Sequence, residues 1–180
     1  MLPQYCLWTN NIYMLKPVLS FLLMLSSTSI FAQSKTDTVG KHSPVRTLTY
    51  AQYEAYKKGE AGEDLAMVAE MNHYPLPDKV LKWRNELDLS PIQIKKIMEA
   101  SAYLRKRRLQ VGGSIIDTER VLDSMFRYHK TLDGDVIFFS NRYGLYQGEL
   151  KNAFLQACVS TQKLLSQQQL NKFESLQKPK

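Results

Sequence analysis

Leu89-Ser90-Pro91-Ile92-Gln93-Ile94-Lys95-Lys96-Ile97 reads as the opening of a long helix, and the rest of the fold follows from it. Ser90 is placed to cap an orphan backbone N–H. Pro91 falls at the first helical position, where its missing N–H costs nothing. Gln93 is three residues past the cap and can accept from the cap's own N–H. From Ile92 to Gln177 there is no proline in 86 residues, so nothing in the chain forbids long helices. Gly112-Gly113 should break or bend the first of them, at about 1 kcal/mol per glycine relative to alanine. The apolar phase nonetheless runs through both glycines. Steps of four and three from Ile97 visit Ser101, Leu104, Arg108, Val111, Ile115, Thr118, Leu122, Met125 and His129 without a reset. One helix, straight or bent, is therefore predicted from Pro91 to about His129.

Leu132-Asp133-Gly134-Asp135 reads as a turn. A second stripe follows it through Val136, Phe139, Tyr143, Tyr146, Leu150, Ala153 and Ala157, flanked by Phe154 and Cys158. This predicts a helix to about Lys163, and a last short helix from Ser166. Two long helices joined by a short turn make an antiparallel hairpin. Upstream, Tyr74-Pro75-Leu76-Pro77 is a stiff connector, and Val80, Leu81, Trp83 and Leu87 give a short helix. The fold class is all-α: a long helical hairpin with short flanking helices. Its two apolar stripes need a third layer or a second copy, so a homodimer is expected.

The N-terminal third has a different composition. Lys16 precedes a short apolar run from Val18 to Leu25, and Ile30-Phe31-Ala32 offers a cleavage site. Residues 1–32 are therefore expected to be a signal peptide, with Met14 as the start, and the protein to be exported to the periplasm. The run is short of the roughly 20 apolar residues a membrane span needs, and Ser26 to Ser29 interrupt it. Contact with the membrane is thus expected only through this segment during export. Residues 33–61 read as a flexible leader with short helical turns, and 62–180 as the helical domain.

The 180-residue chain has 24 Lys+Arg against 17 Asp+Glu, a net charge of +7. Removing 1–32 takes away Lys16 alone among the charged residues and leaves 23 − 17 = +6 over 148 residues. It also removes Cys6. Two cysteines exclude a disulfide scaffold and a four-cysteine zinc site. Cys158 alone remains, in an apolar pattern that favours burial.

The two helix starts echo each other. Leu89-Ser90-x-x-Gln93-Ile94-x-Lys96-Ile97 matches Leu165-Ser166-x-x-Gln169-Leu170-x-Lys172-Phe173. By itself this is two capping boxes. At both ends of a hairpin in an exported basic chain, it resembles the LTxxQ-motif family of periplasmic proteins, the Spy/CpxP-like chaperones and related heavy-metal sensors. Serine stands for threonine in both copies. Ala69 to Pro77 and Glu119 to Phe126 resemble a Bacteroidetes-type branch of that family. The resemblance covers about residues 62–177. It implies a hairpin that dimerises into a curved cradle, an ATP-independent chaperone or envelope-stress activity, and no catalysis.

Arg105-Lys106-Arg107-Arg108 is the densest charge run, with Arg108 on the apolar stripe. With Met98 it is the candidate surface for unfolded client proteins or an envelope regulatory protein, since cations attract acidic segments and their stems cover apolar surface. Nucleic acid is excluded as a partner by export. No cofactor is expected. The alternative is a sensor holding a divalent transition metal, with His129, Met125 and Cys158 as its ligands, although no HxxxH, HxxE or CxxC spacing occurs. Phosphate loops, a nucleophile elbow and a base near Cys158 are all missing from the sequence, so the chain is not read as an enzyme.

Overall fold

The computed structural model describes residues 41–177. The expected signal peptide, and the leader up to residue 40, lie outside the described residues. The elements are α1 (Tyr50–Lys58), a 3-10 turn (Glu63–Ala66), α2 (Met67–Glu70), α3 (Pro77–Lys82), α4 (Pro91–Arg127), α5 (Asp133–Gln162) and α6 (Gln167–Gln177). The fold is all-α, with no strand among the described residues. No described helix is long and apolar enough to cross a membrane.

α4 and α5 form the predicted hairpin, and α4 passes through Gly112-Gly113 unbroken. Its buried stripe contains Ile97, Leu104, Val111, Ile115 and Thr118, five of the positions the sequence phase selects. α5 answers with Leu150, Ala153, Phe154, Ala157 and Cys158. Thr118 and Thr161 are buried in the stripes because each hydroxyl donates to the carbonyl four residues back, at 2.8 Å in both cases. That bond satisfies a polar group that would otherwise oppose burial.

Within the span 33–61, expected to be a flexible leader with short helical turns, residues 41–48 pack on the body and the helical turn is α1. Val45 and Leu48 are buried with Ile116 of α4, and Tyr53 and Tyr56 pack beside them. The Thr47 hydroxyl donates to the Glu119 carboxylate at 2.5 Å. α1 is a capped helix of nine residues. Thr49 and Gln52 form a reciprocal capping box, and Gly59 closes the C-terminus in the left-handed region at φ 69°. The segment looks polar in sequence because its few apolar residues are spaced singly, yet Val45, Leu48, Tyr53 and Tyr56 pack with Ile116 of α4. Gly112 explains how: a Cβ there would lie 2.6 Å from the Tyr56 carbonyl oxygen, so only glycine lets α1 approach this closely. At Gly113 a Cβ would meet nothing within 4 Å.

A second core lies at the base of the hairpin. Val80, Leu87, Leu89, Ile97 and Phe173 bury one another, with Trp83, Leu164, Leu165 and Leu176 around them. This cluster seats α6. The opposite end of the hairpin is bare. From Glu119 to Arg127 in α4, and from Asp133 to Glu149 in α5, no side chain is buried.

Candidate functional site

The two sequence echoes meet in space. Ser90 and Gln93 form a complete capping box: Gln93 N–H donates to Ser90 Oγ at 3.2 Å, and Ser90 N–H to Gln93 Oε1 at 2.9 Å. Ser166 and Gln169 repeat it at 3.2 and 2.9 Å. Each glutamine's amide nitrogen then crosses to the other box. Gln93 Nε2 donates to the Leu164 carbonyl at 2.7 Å and to Gln169 Oε1 at 2.9 Å. Gln169 Nε2 donates to the Leu87 carbonyl at 3.2 Å. Leu89 is buried and Leu165 half-buried in the cluster beneath. The motif is therefore a clasp that ties the start of α4 to the start of α6. Sequence spacing predicts each cap but not their pairing, because the 76 residues separating the glutamines carry no local signal of it.

The basic run does not form one surface. Arg107 pairs with Glu149 of α5 at 3.2 Å. Arg108 turns inward, 11% exposed, with its guanidinium 5.0 Å from the centre of the Phe154 ring. Only Arg105 and Lys106 remain exposed, as Met98 does. The client surface expected at Arg105 to Arg108 is corrected accordingly: a helix turns 100° per residue, so four consecutive residues cannot share a face. What does share the outer side of α4 is Ile92, Lys95, Lys96, Met98, Glu99, Tyr103, Arg105 and Lys106, all exposed. Four cations less one carboxylate leave a charge of +3, and none of the four ion-pairs with a described residue. Lys95 and Lys96 belong to this face and the sequence reading passed over them. Helical spacing from Lys106 (i−11, i−10) was the available signal.

The bare end of the hairpin continues the apolar theme. Val121, Phe126, Tyr128, Leu132, Ile137, Phe138 and Leu145 are all exposed there. Arg142 lies over both Phe138 and Tyr146, at 5.5 and 5.4 Å from the ring centres.

The proposed metal ligands are not brought together. His129 is exposed in the turn between α4 and α5, at φ 53°. Met125 is half-buried one turn earlier. Cys158 is fully buried in the α4–α5 core, 25 residues past the start of α5, or about 37 Å along a helix at 1.5 Å per residue. No group of three or more His, Cys, Asp or Glu side chains poised for a metal occurs among the described residues.

Burial among apolar side chains, with the Glu70 carboxylate nearby, pushes the Cys158 thiol up to about 11. The thiolate is the reactive form. Thiol reagents at pH 8 are therefore expected to label Cys158 far more slowly in the folded chain than in the unfolded one, and equal rates at this thiol would contradict the burial. The raised value also fixes a pH dependence. The folded state holds the proton above the ordinary 9.0 at which the unfolded thiol loses it. Stability is thus unaffected by this group below about 9 and falls as pH rises from there through 11. Denaturant melts of Cys158→Ala and the parent chain across that range check the sign: the parent alone is expected to show this component of the loss.

Comparison of the chain with protein-family models, curated proteins and solved structures returns no match.

Proposed function

We propose that this protein is an exported, ATP-independent chaperone or envelope-stress protein of the Spy/CpxP type, which holds unfolded or partner proteins on the outer side of its hairpin. The observation that carries the reading is the exposed face of α4, where unpaired cations alternate with Ile92, Met98 and Tyr103, together with the uncovered apolar side chains at the hairpin's far end. Unfolded segments present apolar side chains without a fixed shape. A surface of flexible and aromatic side chains, wetted by lysine and arginine, meets them with little selectivity. Cations also draw in acidic segments from a distance, and that attraction weakens as salt rises. Two copies joined over the bare hairpin ends would cover part of the exposed apolar area and supply the cradle that the LTxxQ resemblance implies. Sedimentation at tens of micromolar is expected to show a dimer; a strict monomer there contradicts that part of the reading.

The functional test is suppression of client aggregation. The protein is expected to keep a chemically unfolded client in solution at near-stoichiometric amounts without ATP. Replacing Lys95, Lys96, Arg105 and Lys106 together by Glu is expected to abolish protection of an acidic client while leaving helicity unchanged. No protection by the parent chain overturns the proposal.

A further inference from the structure

We infer that Arg108 is the anchor of a carboxylate-binding cleft between the end of α1, the start of α3 and the middle of α4. The side chain is 11% exposed, and its Nε and Nη2 atoms are both buried and hydrogen bonded to nothing described. These two nitrogens carry the parallel N–H groups along one edge of the guanidinium, the edge that a carboxylate grips with both oxygens. A buried donor left unmade costs on the order of 1–3 kcal/mol, and more on a charged group, so an empty fork inside a fold calls for a partner. The Phe154 ring lies beneath the guanidinium, its centre 5.0 Å from Cζ.

The surroundings say which partner. Arg108 lines a cleft of about 360 Å³ with Lys58, Arg105, Glu60, Asp78 and Ser101. With Glu63 beside them, three cations meet three carboxylates, and Lys58 is already paired with Glu54 at 3.2 Å. A site without net positive charge disfavours a doubly charged phosphate, and the fork suits a monoanion held bidentately. The Ser101 hydroxyl already donates to Asp78. Glu63 is the nearest acid to the fork. Its Oε1 lies 3.9 Å from Nη2, too far for a hydrogen bond, and its side chain is 76% exposed. It stands beside the fork as an internal competitor; both fork nitrogens are closed to solvent as the side chains stand, so a ligand takes them by displacing Glu63 as the Arg108 head swings toward the cleft. The ligand is the carboxylate of a peptide, from an Asp or Glu side chain or from a free C-terminus. This inference is independent of chaperone activity: the cleft would bind small carboxylates even if the protein protects no client.

The test is a titration of the full chain followed by the Arg108 Nε–H resonance in proton–nitrogen spectra. Acetyl-Glu-amide supplies the side-chain carboxylate and acetyl-Gly with a free terminus supplies the other; acetyl-Gln-amide and inorganic phosphate are the controls. A saturable shift with either acid, absent with the Gln compound and weaker with phosphate, is expected, and the acid that binds tighter identifies the source. Arg108→Lys is expected to weaken binding about tenfold, the effect of losing one charge-assisted hydrogen bond. Glu63→Gln keeps the arginine and removes the competitor, so its midpoint should move to lower ligand concentration. A purely structural Arg108–Glu63 pair would give no such tightening. Equal shifts with the Gln compound, tighter phosphate than carboxylate, or an unchanged or weaker midpoint in Glu63→Gln would overturn the inference.

Discussion

Gly112→Val is expected to destabilise the protein by about 3 kcal/mol, the upper end of the range for overpacking a well-filled contact. The atom in the way is the Tyr56 carbonyl oxygen, 2.6 Å from where the new Cβ would stand. A backbone carbonyl inside a capped helix cannot rotate aside as a side chain can. The helix α1 must therefore lift off α4 and take Val45, Leu48, Tyr53 and Tyr56 partly out of their cluster. Gly113 is the control built into the same helix. Nothing lies within 4 Å of its missing Cβ, so Gly113→Ala is expected to stabilise by about 0.5–1 kcal/mol through helix propensity alone. Thermal melts by circular dichroism check both. The first variant should melt roughly 10 °C lower and the second a few degrees higher. Equal effects of the two substitutions would mean that α1 does not dock on α4 as described.

Gln93→Ala should cost about 2–4 kcal/mol, more than an ordinary cap removal of about 1 kcal/mol. The side chain accepts from the Ser90 N–H and donates to the Leu164 carbonyl and to Gln169 Oε1. Its loss removes a cap and leaves the Leu164 carbonyl without its donor at the edge of the second core. Gln169→Ala is expected to behave alike, through Ser166 and the Leu87 carbonyl. Because the two amides also bond each other, the double variant should cost less than the sum of the singles by on the order of 1 kcal/mol. Strict additivity would show two independent caps and no clasp. α6 has further ties to the body, Lys172 to Asp88 at 3.0 Å and His73 to Glu174 at 2.5 Å. Both are exposed polar contacts and worth little next to the clasp.

The helices were legible because their signals are local. Ser90, Pro91 and Gln93 announce the start of α4, and the four-and-three stepping from Ile97 carries it across the glycines; the turn expected at Leu132 to Asp135 is corrected to Tyr128 to Leu132, since Asp133 to Asp135 already form the first turn of α5, where acidic residues suit a helix N-terminus. Three things were not legible. The span 41–48 reads as leader because Val45 and Leu48 stand singly among polar residues until Ile116 of α4 is present to receive them, while Tyr50, Tyr53 and Tyr56 at helical spacing read as a helical turn. The inward turn of Arg108 was half visible in its place on the stripe, but a cation there reads equally as a surface residue until Phe154 is known to lie beneath it. The pairing of Gln93 with Gln169 depends on where the hairpin returns the chain, and hairpin length sets that rather than either motif. The separation of the candidate ligands was hidden for the same reason: His129 lies in the turn before α5 and Cys158 in the buried core 25 residues past its start.

A photo-crosslinking amino acid placed singly at Tyr103, Phe138, Gln52 and Asn171, mixed with an unfolded client, tests the central claim most directly. All four positions are exposed, and only Tyr103 and Phe138 lie on the basic–apolar face or the bare hairpin end. Client adducts are expected from Tyr103 and Phe138, lost when the client is folded beforehand, with little from Gln52 or Asn171. Equal adducts from all four positions, or none from Tyr103 and Phe138, would contradict a hairpin that holds unfolded proteins on its outer side.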